Sequence, residues 1–504
     1  MSATEQPQVM ATTKQWFALG VLMLPTLLVS IDNTVLSFAL PSIARDLRPS
    51  AVAQLWIVDV YPLVLAALLV GTGNLGDRFG RRRLLLIGAS GFGIVSVLAA
   101  FAPDATSLVL ARILLGVFGA MLMPSTLSLL RSLFADRRQR RLAIAIWAAG
   151  FSAGSAIGPL VGGVLLENFW WGSVFLVAVP FLLPLLIFAP VLIPESKDPT
   201  PGPFDLGSIL LSILTLGPAV YAIKELATEG VGVLPVVLLV IAALSGFFFV
   251  RRLLGQANPM LDMQLFRVPS FSGAVLVNLV SVFSLLGLLF FLTQHLQLVE
   301  GLSPFDAALA LTPGILVIIV AGLAVVPLVR FVRPGYLMAG GLTLSLLAYG
   351  SIALTGSDAT VLSYIVAFCV LGAGIGSAET LSNDLIISSV TPDKAGAASG
   401  VSETAYELGA VLGTAVLGSI LTASYRSTIE IPEGLNATDS TAARETLGGA
   451  VEVASSAPAG VGEQLLDSAR HAFDSGVVTT SWVAVALMAV AITITLVTLR
   501  SVRS

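Results

Sequence analysis

One cysteine, Cys369, and two histidines are present in 504 residues. A single thiol inside an apolar run allows no intrachain disulfide and leaves the redox compartment unread. No metal-ligand cluster, nucleophile–base pair or paired catalytic carboxylates in an aqueous segment is evident, so the sequence points away from an enzyme. Charge is also scarce. Asp, Glu, Lys and Arg make up 11% of the chain, against roughly 25% in soluble domains. The net charge of −4 therefore carries little information about partners. No basic domain and no aromatic-basic cluster speaks for nucleic acid. No glycine-rich loop of the Walker type is found, which excludes ATP as the energy source by that route and leaves ion gradients. "GAGIGSAE" (372–379) mimics a dinucleotide loop, but no strand precedes it and it reads as helix packing. The "NAT" at 436–438 is a sequon by pattern only.

What fills the chain instead is hydrocarbon. Hydrophobic residues reach 56%, the composition of an integral membrane protein. The polar start "MSATEQPQVMATTKQW" leads into a run too long for a signal peptide, which reads as a retained first helix. Apolar runs long enough to span fall near 16–41, 51–74, 83–102, 106–131, 142–166, 172–193, 206–227 and 232–250. Six more fall near 270–299, 304–329, 335–355, 360–390, 395–424 and 476–500, for an expected total of fourteen helices. An even number puts both termini on one side. That side holds nineteen Lys and Arg, among them Arg78, Arg81, Arg82, Arg83 and Arg138, against six in the opposite loops and helix ends, where Lys224 is counted. The bias predicts that both termini are cytoplasmic.

"PESKDPTPGPFD" (194–205) reads as a proline-rich cytoplasmic linker closing off the first six spans. The first six spans, 1–195, are therefore expected to form one unit. Later in the chain lies a polar external segment, 425–475. Within it "EQLLDSARHAF" sets Leu465, Leu466, Ala469 and Phe473 on one helical face, so a folded hairpin cap is expected in preference to a linker.

The charges that do lie in apolar runs carry the most information. Asp32, Asp59, Glu379, Asp384, Glu403 and Glu407 fall inside predicted spans together with Arg112. An acid at a membrane helix centre costs roughly 2.5–3.5 kcal/mol on insertion scales, so it reads as functional. Glu403 and Glu407, four apart, share a helix face, and Gly400, Gly409 and Gly413 around them suit close packing. Six acids against one deeply buried base cannot all be paired, so some must be protonated, solvated or awaiting a cation. Asp32, Glu403 and Glu407 are the candidate proton sites, with Arg112 as partner or regulator. Asp59, Glu407 and Glu379 are candidate contacts for a cation, with Gln294 as a hydrogen-bonding neighbour. Asp384, near a helix end, reads as a gate or cap, and His295 as structural. Trp56, Trp147, Phe175 and Tyr406 offer aromatic faces on which a flat cation could stack.

Four motifs give these spans a family resemblance. "GNLGDRFGRRRLL" (73–85) is a tight turn between spans two and three: Gly73 and Gly76 permit close helix approach, Gly80 can take positive φ, and Asp77 can pair with Arg78 or Arg81 or cap the next helix. It resembles the signature loop of the major facilitator superfamily. "ARILLGVFGAMLMPS" (111–125) resembles the superfamily's fourth-helix motif. "GFSAGSAIGPLVGGVLLENFWW" (150–171), with Gly154, Gly158, Pro159, Gly162 and Gly163, resembles the fifth-helix motif of its antiporting exporters. "SIDNTVLSFALPSIARDL" (30–47) is similar to the first-helix signature of its 14-helix drug:proton antiporters, and the likeness to the quaternary-ammonium and dye exporter group extends over nearly the whole chain.

The resemblance implies an all-α major facilitator fold with a six-helix bundle over 1–195, a linker and inserted helix pair over 196–255 (the pair at 206–250), and a second six-helix bundle over 256–504 that carries the external segment; it also implies alternating access by rocking, and glycine–proline packing in the fifth helix that lets backbones touch. It implies a monomer in the bacterial cytoplasmic membrane with no cofactor, protons being the coupling ion. The expected cargo is lipophilic cationic drugs: quaternary ammonium compounds and dyes such as ethidium, with fluoroquinolones a further candidate. Two alternatives stay open, an exporter of an endogenous metabolite or antibiotic and a non-transporting receptor or scaffold.

Overall fold

A computed structural model describes residues 11–499 apart from 135, 198–204, 229, 231, 257–258, 260, 357–358 and 391–394. Among the described residues no strand occurs; the elements are helices. In chain order they are α1 (Thr13–Leu47), α2 (Ala51–Phe79), α3 (Arg81–Ala100), α4 (Ala105–Leu133), α5 (Arg137–Asn168), α6 (Ser173–Leu176), α7 (Ala178–Leu192), α8 (Leu206–Thr228) and α9 (Val233–Leu254). They continue as α10 (Pro269–Gln294), α11 (Pro304–Leu328), α12 (Pro334–Thr355), α13 (Val361–Ser388), α14 (Ala395–Gly413), α15 (Ser419–Thr428), α16 (Ala437–Glu445), α17 (Leu447–Ser456) and α18 (Ala459–Leu499).

Hydrocarbon leaves helices as the economical answer, because every backbone N–H and C=O must be satisfied within the segment. Thirteen helical stretches among the described residues are long and apolar enough to cross a membrane. The 32 residues of α5 add a fourteenth long helix, whose stretch 142–166 carries no charged residue. Loops supply the stops: Ser50, Asp104 and Thr360 accept from backbone N–H groups three residues on and cap α2, α4 and α13.

Spans one to six pack around one apolar core, and α10 to α18 around others. The two halves meet where α2 lies on α14 and α5 on α11. The inserted pair sits to the side. Helix α8 touches α2 and α15, while α9 rests on α8 and leaves Leu244, Phe247 and Phe248 more than half exposed, a surface suited to lipid acyl chains.

Alternating spans place the start of α1 and the end of α18 on one face. The opposite face carries a folded cap. There α16, α17 and the first turns of α18 cover the ends of α1 and α15, and Leu465, Ala469 and Phe473 are buried on one side of α18. Arg48 pairs with Glu452 at 2.9 Å, and Glu445 accepts from the Ala51 backbone N–H at 3.0 Å, so the cap also ties α1 and α2 to the second half.

Candidate functional site

The intramembrane charges gather between the halves, built from α1, α2, α4, α8, α13 and α14. The Arg112 side chain, 1% exposed, leaves α4 and donates through Nη1 to Asp32 on α1 at 2.6 Å. Its Nε donates to the Ile57 carbonyl at 3.2 Å, and its guanidinium lies 4.4 Å above the Tyr61 ring. Salt bridge, carbonyl and aromatic face together account for a fully desolvated guanidinium.

A second pair was not anticipated. Counted with the helix ends in the sequence, Lys224 is 1% exposed, and its Nζ lies 2.9 Å from Oδ2 of Asp59, itself 0% exposed. The ammonium also sits 3.9 Å above the Trp56 ring, while Tyr221 one turn earlier on α8 packs its ring beside Trp56. Among the described residues Lys224 thus joins Arg112 as a buried cationic side chain, and Asp59 already holds a cation in this conformation. The other oxygen of Asp59 accepts from the Thr414 hydroxyl. Thr414 opens a π-helical turn, Thr414–Gly418, between α14 and α15, an irregularity of the kind that recurs at functional positions. A cavity of about 20 Å³, lined by Asn33, Asp59, Arg112 and Thr414, joins the two ion pairs and has room for about one water.

The three glutamates have no such partner among the described residues. Glu407 is 0% exposed, and neither of its oxygens makes a hydrogen bond of good geometry with a described residue, Asn33 being the polar side chain beside it. Glu403, one turn nearer the face where α1 begins, is partly exposed, as is Glu379 on α13. Tyr406 is the hub: Glu379, Glu403 and Glu407 all act on its hydroxyl, which contacts the Ser155 side chain in α5. Ser155 in turn hydrogen-bonds Ser30 on α1 at 2.7 Å. The fifth-helix glycines create this proximity. A Cβ at Gly154 would stand 2.8 Å from the Leu27 carbonyl oxygen, one at Gly158 would strike the Thr34 hydroxyl, and one at Gly162 would strike Val35. Gly163 serves the other half, where a Cβ would come 2.8 Å from the Phe305 Cα in α11. Pro159 sits between these contacts inside α5.

Other expected residues are placed differently. Asp384 is exposed, so it is not one of the buried acids. A Cβ at Gly400 meets nothing within 4 Å, whereas one at Gly413 would stand 2.5 Å from the Phe283 carbonyl oxygen, so only part of the glycine set around the glutamates is a packing device. Gln294 accepts from Gln54 at 3.3 Å and donates to the Phe290 carbonyl at 2.9 Å, tying α2 to α10 near the cap. Gln297 donates to the Phe38 carbonyl at 3.1 Å and adds a second tie there. Trp147 and Phe175 pack into the first half's core. His295 lies buried between the Tyr364 and Phe473 rings, with Asp474 and Glu300 on its two nitrogens, a structural setting close under the cap.

The loop after α2 also departs from expectation. A Cβ at Gly73 or Gly76 would find only ordinary contacts, 3.8 Å and 3.5 Å at nearest, so close approach does not require them in this conformation. Gly80 is required twice over: its φ is +113°, and a Cβ there would meet the Glu195 carboxyl at 2.8 Å. Asp77 pairs with Arg81 at 2.8 Å, but the start of α3 is capped by Glu195, which accepts from the Arg82 and Arg83 backbone N–H groups. In the sequence Glu195 reads only as part of a linker.

The larger cavity lies elsewhere. About 300 Å³ opens between α2, α8, α9, α10 and α14, lined by residues such as Ala67, Thr215, Phe249, Leu279 and Thr404, and no ionisable side chain among the described residues reaches it. With no counter-charge there, it is a poor seat for a cation. The acid cluster is the candidate site.

The family model described as Major Facilitator Superfamily matches residues 22–414. The multidrug efflux pump LfrA of Mycolicibacterium smegmatis is 57% identical over 476 residues, which cover 94% of each chain. The methyl viologen resistance protein SmvA of Salmonella typhimurium is 36% identical over 463 residues, 91% of this chain and 93% of the other. A solved bacterial homolog of the human lysosomal transporter Spinster superposes with a TM-score of 0.66 at 17% identity over 98% of each chain, which speaks for the fold.

Proposed function

Because the chain belongs to the major facilitator superfamily, it is a multi-pass membrane transporter, and we propose that it exports lipophilic cationic drugs in exchange for protons. The observation that carries this reading is Glu407: a carboxyl sealed from solvent between the two halves, with no ion-pair partner among the described residues. A carboxylate in such a place calls for one positive charge, and a proton or a cationic drug each supplies it. Occupancy by one excludes the other, which is the logic of antiport. Glu403 and Glu379, on the side of Tyr406 toward the terminal face, form the approach; Asp32 and Arg112, reached through the small polar cavity, receive or return the proton.

The relatives support the same cargo class, since one is named a multidrug efflux pump and another for resistance to methyl viologen, a flat aromatic dication. Quaternary ammonium compounds and dyes such as ethidium fit both that class and a site of acids and aromatics. The chain works without a cofactor, as a monomer in the bacterial cytoplasmic membrane, with both termini cytoplasmic. Its functional units are the bundles over 1–195 and 256–504, with the inserted pair between them.

On this reading the halves alternate, and polar ties hold them together on the side of the cap. Gln54–Gln294, Gln297–Phe38 and Arg48–Glu452 lie on the cap side of the glutamates, and the partly exposed Glu403 and Glu379 lie on the other. Opening outward requires those ties to break while α5 slides on α1 and α11 along its glycines. Proteoliposomes test the proposal. An imposed pH gradient drives ethidium uptake into inverted vesicles, and adding ethidium to loaded vesicles moves protons the opposite way. Ethidium flux with no dependence on the proton gradient, or no flux at all, contradicts it.

A further inference from the structure

We propose that Lys224 is a tethered cation held in the cargo's own seat, which a lipophilic cation must displace from Asp59 and Trp56 in order to bind. The inference rests on the export reading above and names the residue that sets the threshold for cargo.

A carboxylate beside an indole face is the recognition unit a flat cation seeks, charge for charge and ring for ring. Asp59 and Trp56, three residues apart on α2, form such a unit, and the Lys224 ammonium occupies both members at once, 2.9 Å from the carboxylate and 3.9 Å above the ring. The groups facing the pair come from several elements: Thr414 from the π-helical turn donates to the second carboxylate oxygen, Arg112 from α4 acts on Asp59 across the small cavity, and Tyr221 flanks Trp56 from α8 itself. Asp59 belongs to the first half and Thr414 to the second, so whatever cation sits there lies at the junction of the halves.

The lysine arrives from outside both bundles. It is carried by α8, one of the inserted pair, and α9 behind it packs on α8 and on the short turn Met263–Arg267. A helix backed by one lipid-facing neighbour can withdraw at less cost in packing than a helix of either core. The choice of base also fits. An ammonium on a flexible four-carbon stem exchanges partners readily, whereas a guanidinium is held in a fixed fork geometry, as Arg112 is by Asp32 and the Ile57 carbonyl. Exchange of Lys224 for a drug cation keeps Asp59 neutralised, and the displaced ammonium, one turn from the end of α8 at Thr228, moves out to the aqueous interface, so that neither charge is left buried and unpaired.

A tethered competitor is present at high effective concentration. Cargo therefore has to gain more from the site than the ammonium does, and aromatic cations that cover the whole Trp56 face gain most. Small hydrated cations do not meet that threshold. On this account the inserted pair is a selectivity element.

Ethidium binding to the purified full-length protein, followed by its fluorescence, tests the inference with wild type, Lys224→Met, Lys224→Gln, Asp59→Asn and the double variant Asp59→Asn/Lys224→Met. Removing the tethered cation is expected to tighten ethidium binding about tenfold or more in both single lysine variants, and the gain is expected to vanish in the double variant. Unchanged or weaker binding in a folded lysine variant, or a gain that survives Asp59→Asn, overturns it. Should the lysine variants not fold, the wild type decides: saturating ethidium raises acetylation of Lys224 by acetic anhydride relative to Lys14, and an unchanged ratio overturns the inference. A wild type that binds no lipophilic cation removes the export reading itself, whereas binding without the gain removes only the role of Lys224.

Discussion

Arg112 and Asp32 meet at 2.6 Å inside the first half, the arginine side chain 1% exposed and the aspartate 10%. Asparagine keeps the size and hydrogen-bonding capacity of aspartate but cannot exchange a proton. In Asp32→Asn, Arg112 retains the Ile57 carbonyl and the Tyr61 face, so the protein is expected to fold and to bind ethidium. Concentrative export driven by a pH gradient is expected to disappear while downhill exchange survives. Reconstituted flux with and without the gradient checks this; wild-type concentrative export in the mutant removes Asp32 from the proton path.

Cargo charge gives a second expectation. Asp32 and Asp59 are each paired, so a dication entering the cluster takes its second counter-charge from the glutamates, and an unpaired buried charge is costly. Glu407→Gln is expected to weaken binding of a dication such as methyl viologen at least tenfold more than binding of the monocation ethidium. Competition binding on purified protein measures the ratio. Equal losses for the two cargoes point to a general defect in folding.

Orientation is tested by labelling. Cysteine at Ser455, exposed in the cap, and at Lys14, exposed at the start of α1, is introduced in a background without Cys369. An impermeant maleimide on intact cells is expected to reach the first and not the second. Labelling of both from the same side contradicts an even number of spans.

The inserted pair has a latch at the terminal face. Arg252 donates to Asp205 at about 2.9 Å, with Ser208 and Gln256 adding hydrogen bonds, and the guanidinium holds the Asp205 carboxyl well below the usual carboxylate range. A folded-state pKa below the unfolded one means that the stabilisation is complete above the unfolded value, about 3.9, and is lost only as pH falls through the folded one. Asp205→Asn is therefore expected to lower the thermal midpoint by the same amount at pH 5, 6.5 and 8. A difference that shrinks across that window contradicts the assignment.

Much of this was legible in the sequence. In lipid the backbone forces helices, so apolar run length reads directly as spans, and an acid in such a run stands out by its cost. Asp32, Glu403 and Glu407 were marked in that way, as was the base Arg112, and the spacing Gly154, Gly158, Gly162 gave the packing face of α5. Lys224 was not, because a lysine near the end of an apolar run reads as one that snorkels to the interface. Its burial follows from α8 lying against α2, a tertiary fact that run length does not contain. Thr414 and Glu195 were missed for related reasons. A π-helical turn changes which way a side chain points without leaving a mark in apolar periodicity, and a carboxylate that caps a helix more than a hundred residues earlier in the chain has no local signature.

The central claim is that drug and proton compete for the same buried carboxyls, and proton release on drug binding tests it most directly. Purified protein in weakly buffered detergent solution near neutral pH is mixed with saturating ethidium, and the proton count is read with a pH dye, alongside bound ethidium. Wild type is expected to release protons in proportion to ethidium bound, and Glu407→Gln to release fewer per ethidium bound. Stoichiometric ethidium binding by wild type with no proton released would contradict the account.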